Sequence, residues 1–111
     1  MKVRNKIWIE DSKGSVVFGD GRLKILKAVD ELGSLNKASK ALNMSYRAAW
    51  GKVKATEERL GVRLVDSSTG GGAKGGTRLT LKGRALVEKY EKLSGEISDI
   101  SEKYFEDIFK E

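Results

Sequence analysis

SLNKASKALNMSYRAAWGKVKATEERL, residues 34–60, has the pattern of two helices joined by a tight turn. Leu35, Ala38, Ala41 and Leu42 recur at helical spacing, and the small Ala38 and Ala41 let a second helix cross close above the first. Asn43-Met44-Ser45 forms the turn, with Ser45 as N-cap of the second helix. Tyr46, Ala49, Trp50, Val53, Thr56 and Leu60 make one stripe of that helix, which predicts Trp50 in the core. Arg47, Ala48, Gly51, Lys52, Lys54 and Ala55 fall largely off that stripe, and Gly61 supplies the residue expected just past a helix end. A short helix, a tight turn and a longer basic helix make the helix-turn-helix signature.

The flanks extend the pattern. Downstream, residues 62–66 alternate as a strand, residues 67–76 are rich in glycine, and Thr77-Arg78-Leu79-Thr80 reads as a return strand. This is a β-hairpin wing directly after the second hairpin helix. Upstream, Leu23, Leu26, Ala28, Val29 and Leu32 predict a helix over about 22–32, with Asp20 as its N-cap and Gly33 at its end. Residues 2–10 and 15–18 read as two strands around the turn-rich Asp11-Ser12-Lys13-Gly14. From Leu81 the chain reads as helix to its end, with Thr80 as N-cap. Leu86, Tyr90, Leu93, Ile97, Ile100 and Tyr104 recur at steps of three and four, with Ile108 continuing the series. So long an apolar seam outruns one small domain and predicts a partner helix, a second copy being the simplest; the alternative is that the helix folds back on its own domain. The expected fold is therefore mainly α with small β. It is a winged helix-turn-helix with an N-terminal β-hairpin over residues 1–80, joined to a long dimerisation helix over 81–111.

Charge and composition narrow the chemistry. The net charge is +6, and residues 35–60 alone carry six basic and two acidic side chains, whereas residues 81–111 carry six and eight. Positive charge gathered on the hairpin is the footprint expected of a nucleic-acid contact, and on charge alone fits an ordinary solvated face equally. The chain has no Cys and no His, which removes disulfides, thiolate metal sites and His-based nucleophilic catalysis. Neither metal nor cofactor is expected, nor an enzyme. No apolar run approaches the roughly 20 residues of a membrane span, so a cytoplasmic protein without membrane partners is expected. Gly70 to Thr77 lacks the GK[ST] order of a phosphate-binding loop, and Gly19-Asp20-Gly21 lacks the third glycine of a dinucleotide fingerprint.

From Gly19 to about Tyr90 the sequence resembles the N-terminal DNA-binding domain of ModE-type molybdate-responsive regulators. The resemblance rests on Gly33-Ser34-Leu35, Ala38 to Leu42, Met44 to Trp50, Gly70 to Gly76 and Arg78-Leu79-Thr80. More distantly it resembles LysR-type regulators, above all in Glu58 to Leu64, ERLGVRL. The resemblance implies a homodimeric, sequence-specific regulator of transcription bound to double-stranded DNA. ModE proteins also carry C-terminal oxyanion-binding modules, and this sequence ends at Glu111. A molybdate or tungstate sensor is therefore not carried over. Either the protein acts constitutively or a separate effector-sensing protein acts on it.

Major-groove readout requires side chains near the start of the second hairpin helix, which nominates Ser45, Tyr46 and Arg47. Tyr46 stands equally as core edge or DNA contact. Lys52 and Lys54 suit phosphates or the groove wall. In the wing, Lys74 suits the backbone or minor groove, and Arg78 lies near its base. Ser34 and Lys37 on the first hairpin helix are candidates for flanking phosphates, Ser34 equally for a cap. The expected dimer interface is Leu86, Tyr90, Leu93, Ile97, Ile100, Tyr104 and Ile108. An oxyanion-responsive module and a protein–protein adaptor that does not read DNA are the alternative readings.

Overall fold

A computed structural model describes residues 1–67 and 76–110. Strand β1 (Trp8–Glu10) pairs antiparallel with β2 (Val16–Gly19), placing Ile9 opposite Phe18. Asp11 builds the turn between them, its carboxylate accepting from the Lys13 and Ser15 amides at 2.9 Å each. β2 runs directly into α1 (Asp20–Leu32). The N-cap of α1 is Gly19 rather than the expected Asp20. Strand pairing with Trp8 holds Gly19 extended, so Asp20 becomes the first helical residue, where the helix dipole favours its charge.

The other helix ends obey their local chemistry. α1 stops at Gly33, in the left-handed region at φ 71°. α2 (Leu35–Ala41) begins on Ser34, whose hydroxyl accepts from the Lys37 amide at 3.1 Å. After a turn through Asn43 (φ 55°), α3 (Tyr46–Leu60) begins on Ser45, which accepts from the Ala48 amide at 3.0 Å. Gly61, at φ 68°, closes α3. Strands β3 (Val65–Ser67) and β4 (Thr77–Leu79) pair antiparallel with Val65 opposite Leu79, forming the base of the wing. Thr80 then caps α4 (Leu81–Phe109) by accepting from the Gly83 amide at 3.0 Å.

One core joins all of these elements. α1 gives it Ile25, Leu26 and Val29; α2 gives Leu35 and Ala38; α3 gives Ala49 and Val53. Val17, Phe18, Leu64, Val65, Leu79, Val87 and Tyr90 complete it. Of the two small residues expected beneath the second helix, Ala38 is fully buried, whereas Ala41 is exposed. Tyr90 meets Phe18 edge-on with ring centroids 5.2 Å apart, and its hydroxyl donates to the Ile7 carbonyl at 2.6 Å. Two ion pairs tie α4 to α1: Arg84 with Asp30 at 3.0 Å and Lys27 with Glu91 at 2.7 Å.

Past these contacts α4 extends beyond the core, with the N-terminal segment alongside it: the Asn5 side-chain amide donates to the Ser101 hydroxyl at 2.9 Å. Its 29 residues span about 43 Å. The Cα radius of gyration is 16.7 Å, against about 13–14 Å for a compact chain of this length. Leu93, Ile100, Tyr104, Ile108 and Phe109 are exposed along the projecting part. Among the described residues no helix is long and apolar enough to cross a membrane.

Candidate nucleic-acid interface

α3 divides its residues cleanly. Ala49, Val53 and Thr56 are buried, and Thr56 also donates from its hydroxyl to the Val17 carbonyl at 2.6 Å. That bond and the apolar contacts fix the rotation of α3 about its own axis. At 100° per residue, Arg47, Gly51 and Ala55 lie on the opposite side, flanked by Ala48 and Lys54. Arg47, Ala48 and Gly51 are exposed. The outward side of α3 is thus a cation at its first turn above a strip of small residues, which admits close approach of a large polyanion.

The hydroxyl of Ser45 is used as an acceptor by the cap, and its hydrogen remains able to donate outward. Tyr46 is 50% exposed, which leaves it outside the core. Trp50 is 46% exposed, which corrects the expectation that it packs inside. The reason is angular: Trp50 comes 100° after Ala49, and the room beneath α3 is filled by Ala49, Val53, Thr56 and Glu57. Lys52 is exposed and free to reach a phosphate.

Lys54 is differently placed. Its ammonium lies 3.1 Å from the carboxylate of Glu57 and 5.3 Å from the centroid of the Trp50 ring. It is therefore held against its own helix, half-buried, rather than standing free as Lys52 does. Glu57 carries no mark in the sequence beyond its charge. It is 6% exposed, and it accepts from the Leu64 amide at 2.7 Å and the Val65 amide at 3.2 Å. Burial pushes its pKa up, but the Leu64 amide, the Lys54 ammonium and the Val65 amide together outweigh burial and hold it below the usual carboxylate range. The carboxylate thereby ties the last turn of α3 to the first residue of the wing.

The wing base is fixed to the helices as well. Thr77 donates its amide to the Gly33 carbonyl at 3.0 Å, and its hydroxyl accepts from the Leu35 amide at 3.3 Å. Arg78 is exposed on β4, opposite Asp66 in the register. Lys74 and the glycines 70–75 lie outside the described residues. Ser34 spends its acceptor on the α2 cap, and Lys37 is exposed one turn along. The structure thus sets Ser45 at the N-cap of α3 with Tyr46, Arg47, Trp50 and Lys52 along that helix, and fixes the wing base beside the α1–α2 corner. Among the described residues no group of His, Cys, Asp or Glu could hold a metal ion.

Of the seam residues on α4, Tyr90 is used inside the chain's own core, and Leu86 packs against that core. Leu93, Ile100, Tyr104 and Ile108 are exposed, and Ile97 is half-buried.

Residues 21–84, from the start of α1 to the first turn of α4, match the bacterial regulatory helix-turn-helix proteins of the lysR family. The chain belongs to this family. It is 35% identical over 83 residues to the molybdenum transport protein ModE of Azotobacter vinelandii, a match covering 75% of this chain and 31% of that protein. It is 32% identical over 79 residues to the DNA-binding transcriptional dual regulator ModE of Escherichia coli K12, covering 70% of this chain and 30% of that protein. The chain thus spans about a third of the length of the curated relatives it matches. Among solved structures, the CbnR_DBD–DNA complex is similar with a TM-score of 0.55 at 31% identity, covering 73% of this chain and 91% of that one. The resemblance to ModE and LysR-type regulators and the winged-helix fold expected from sequence are both borne out.

Proposed function

We propose that this lysR-family chain binds duplex DNA sequence-specifically as a homodimer and regulates transcription, acting by binding and not by catalysis, in the cytoplasm where the chromosome lies. The observation that carries this reading is the outward side of α3: Arg47 exposed at its first turn, small residues behind it, and the opposite side locked into the core. The first turn of such a helix enters the major groove, where Arg47 reaches a guanine edge through two parallel hydrogen bonds. Tyr46 and Ser45 lie beside it, Lys52 and Lys37 contact phosphates, and the wing with Arg78 and Lys74 tracks the backbone. The similarity to a chain solved as a DNA complex supports the same reading.

The projecting seam supports the dimer. Ile100 is 55% exposed, Tyr104 60% and Ile108 73%, on the side of α4 left open by the N-terminal segment, which reaches Ser101 through Asn5. Pairing with a second copy removes this apolar surface from water and sets two α3 helices about one DNA turn apart.

Selection of random duplex DNA by the purified protein tests the function, with affinity measured across salt. A near-palindromic sequence and a steep loss of affinity with salt are expected; no enrichment would overturn the reading. On the selected site, Arg47→Ala should cost about 1–3 kcal/mol and relax preference at one base pair per half-site. Ile100→Glu places a charge in the seam and should weaken self-association at least about tenfold, measured by sedimentation. Unchanged sedimentation would remove α4 from the interface.

A further inference from the structure

Trp50 has no role in the core, yet the chain holds its ring in place. The ammonium of Lys54 sits 5.3 Å from the ring centroid, and Lys54 is itself drawn to the nearly buried Glu57 at 3.1 Å. Glu57 is in turn fixed by two backbone amides of the wing base. A half-exposed indole is thus held by a cation–π contact at the end of a chain of contacts that begins in the core. Such a chain restricts the ring before any ligand arrives, which reduces the ordering cost of a contact.

The position of the ring says what it would meet. Trp50 is one turn after Arg47 on the same helix, and residues three apart on a helix are neighbours. Ala48 and Gly51 keep the backbone of α3 open to close approach, so a large side chain on the margin reaches as deep as Arg47 does. An indole so placed has an apolar face and offers only one N–H donor. The one apolar group on the major-groove edges of the bases is the C5-methyl of thymine.

We infer that Trp50 is a specificity-determining residue that packs against a thymine methyl in each half-site, next to the base pair read by Arg47. This rests on the DNA-binding reading above and adds a base to it. It also makes the exposed tryptophan a recognition element rather than a packing defect.

The test uses the sequence selected by the full chain, with each thymine replaced in turn by uracil, which removes only the methyl. For the unaltered protein, one replacement per half-site should weaken binding about fourfold, the worth of one buried methyl group. For Trp50→Ala the same replacement should have no effect, while the other thymines keep theirs. Trp50→Gln serves as a second variant, and circular dichroism checks that both fold. If Trp50→Ala binds with the same affinity and the same response to uracil, the inference is overturned. It is also overturned if Trp50→Ala weakens binding equally to thymine and uracil duplexes, which would place the ring on the sugar–phosphate backbone. Failure of the unaltered protein to bind any duplex would instead overturn the DNA-binding reading itself, and this inference with it.

Discussion

Gly83→Ala should destabilise the protein by about 2–3 kcal/mol, although the same change in most helices is stabilising. Alanine is favoured over glycine within a helix by about 1 kcal/mol, so the sign must come from what the new methyl meets. A Cβ on Gly83 would overlap the carbonyl oxygen of Leu64 and stand 3.1 Å from its carbonyl carbon and 3.3 Å from its Cα. All three are backbone atoms, which cannot rotate away as a flexible side chain would. That carbonyl oxygen is also the acceptor for the Thr80 amide at 2.9 Å, so moving it strains the cap of α4. Overpacking of this kind costs about 1–3 kcal/mol and occasionally more. In a domain of this size the loss lowers the melting temperature by roughly 10–20 °C, measurable by circular dichroism.

Gly95→Ala in the same helix provides the internal comparison. A Cβ there meets nothing within 4 Å, so the ordinary propensity rule should hold and the variant should gain up to about 1 kcal/mol. Equal responses at the two positions would refute the close approach of α4 to Leu64. The effect bears on function too, because the start of α4 sets the direction in which the seam leaves the domain.

These two glycines show what a sequence reveals and what it withholds. Gly33, Gly61, Ser45 and Thr80 are legible as helix ends because the groups they satisfy lie within the same few residues. The helix-turn-helix and the wing are legible for a related reason: each is a local alternation of apolar stripe, turn and strand. Gly83 and Gly95 are indistinguishable by the same criteria, because what separates them is a backbone atom 19 residues away from one of them. Trp50 reads as core from its stripe and is not, because a stripe drawn on an isolated helix has two margins. Only the packed neighbours determine which margin is covered. Tyr90 fits the seam by spacing, yet Phe18 and the Ile7 carbonyl claim it for the core. The place of Arg47 at the start of α3 is legible because the Ser45 cap fixes it, and the role proposed for Arg47 depends on that place.

Glu57→Ala should cost about 3 kcal/mol, and it tests a buried charge that no pattern in the sequence singles out. Its carboxylate accepts from the Leu64 and Val65 amides and faces the Lys54 ammonium. Alanine leaves two amides without that acceptor, and a buried donor left unsatisfied costs about 1–3 kcal/mol. Glu57→Gln retains an acceptor for the amides but loses the charge, so its loss should be smaller, about 1–2 kcal/mol by the same reasoning. The native protein should show the corresponding pH dependence. The folded pKa of Glu57 lies below its unfolded value, so the stabilisation is fully present above the ordinary glutamate range. It is lost as pH falls from there through the depressed folded value. Both variants should therefore lose stability less steeply than the native chain between neutral pH and acid. A second consequence is local. Without Glu57 the ammonium of Lys54 is released from α3, and the Trp50 ring loses its restraint while the fold persists. Glu57→Gln should consequently weaken the discrimination of thymine from uracil on the selected DNA more than it weakens total affinity. Identical discrimination in the native chain and Glu57→Gln would mean that the ring is positioned by α3 alone.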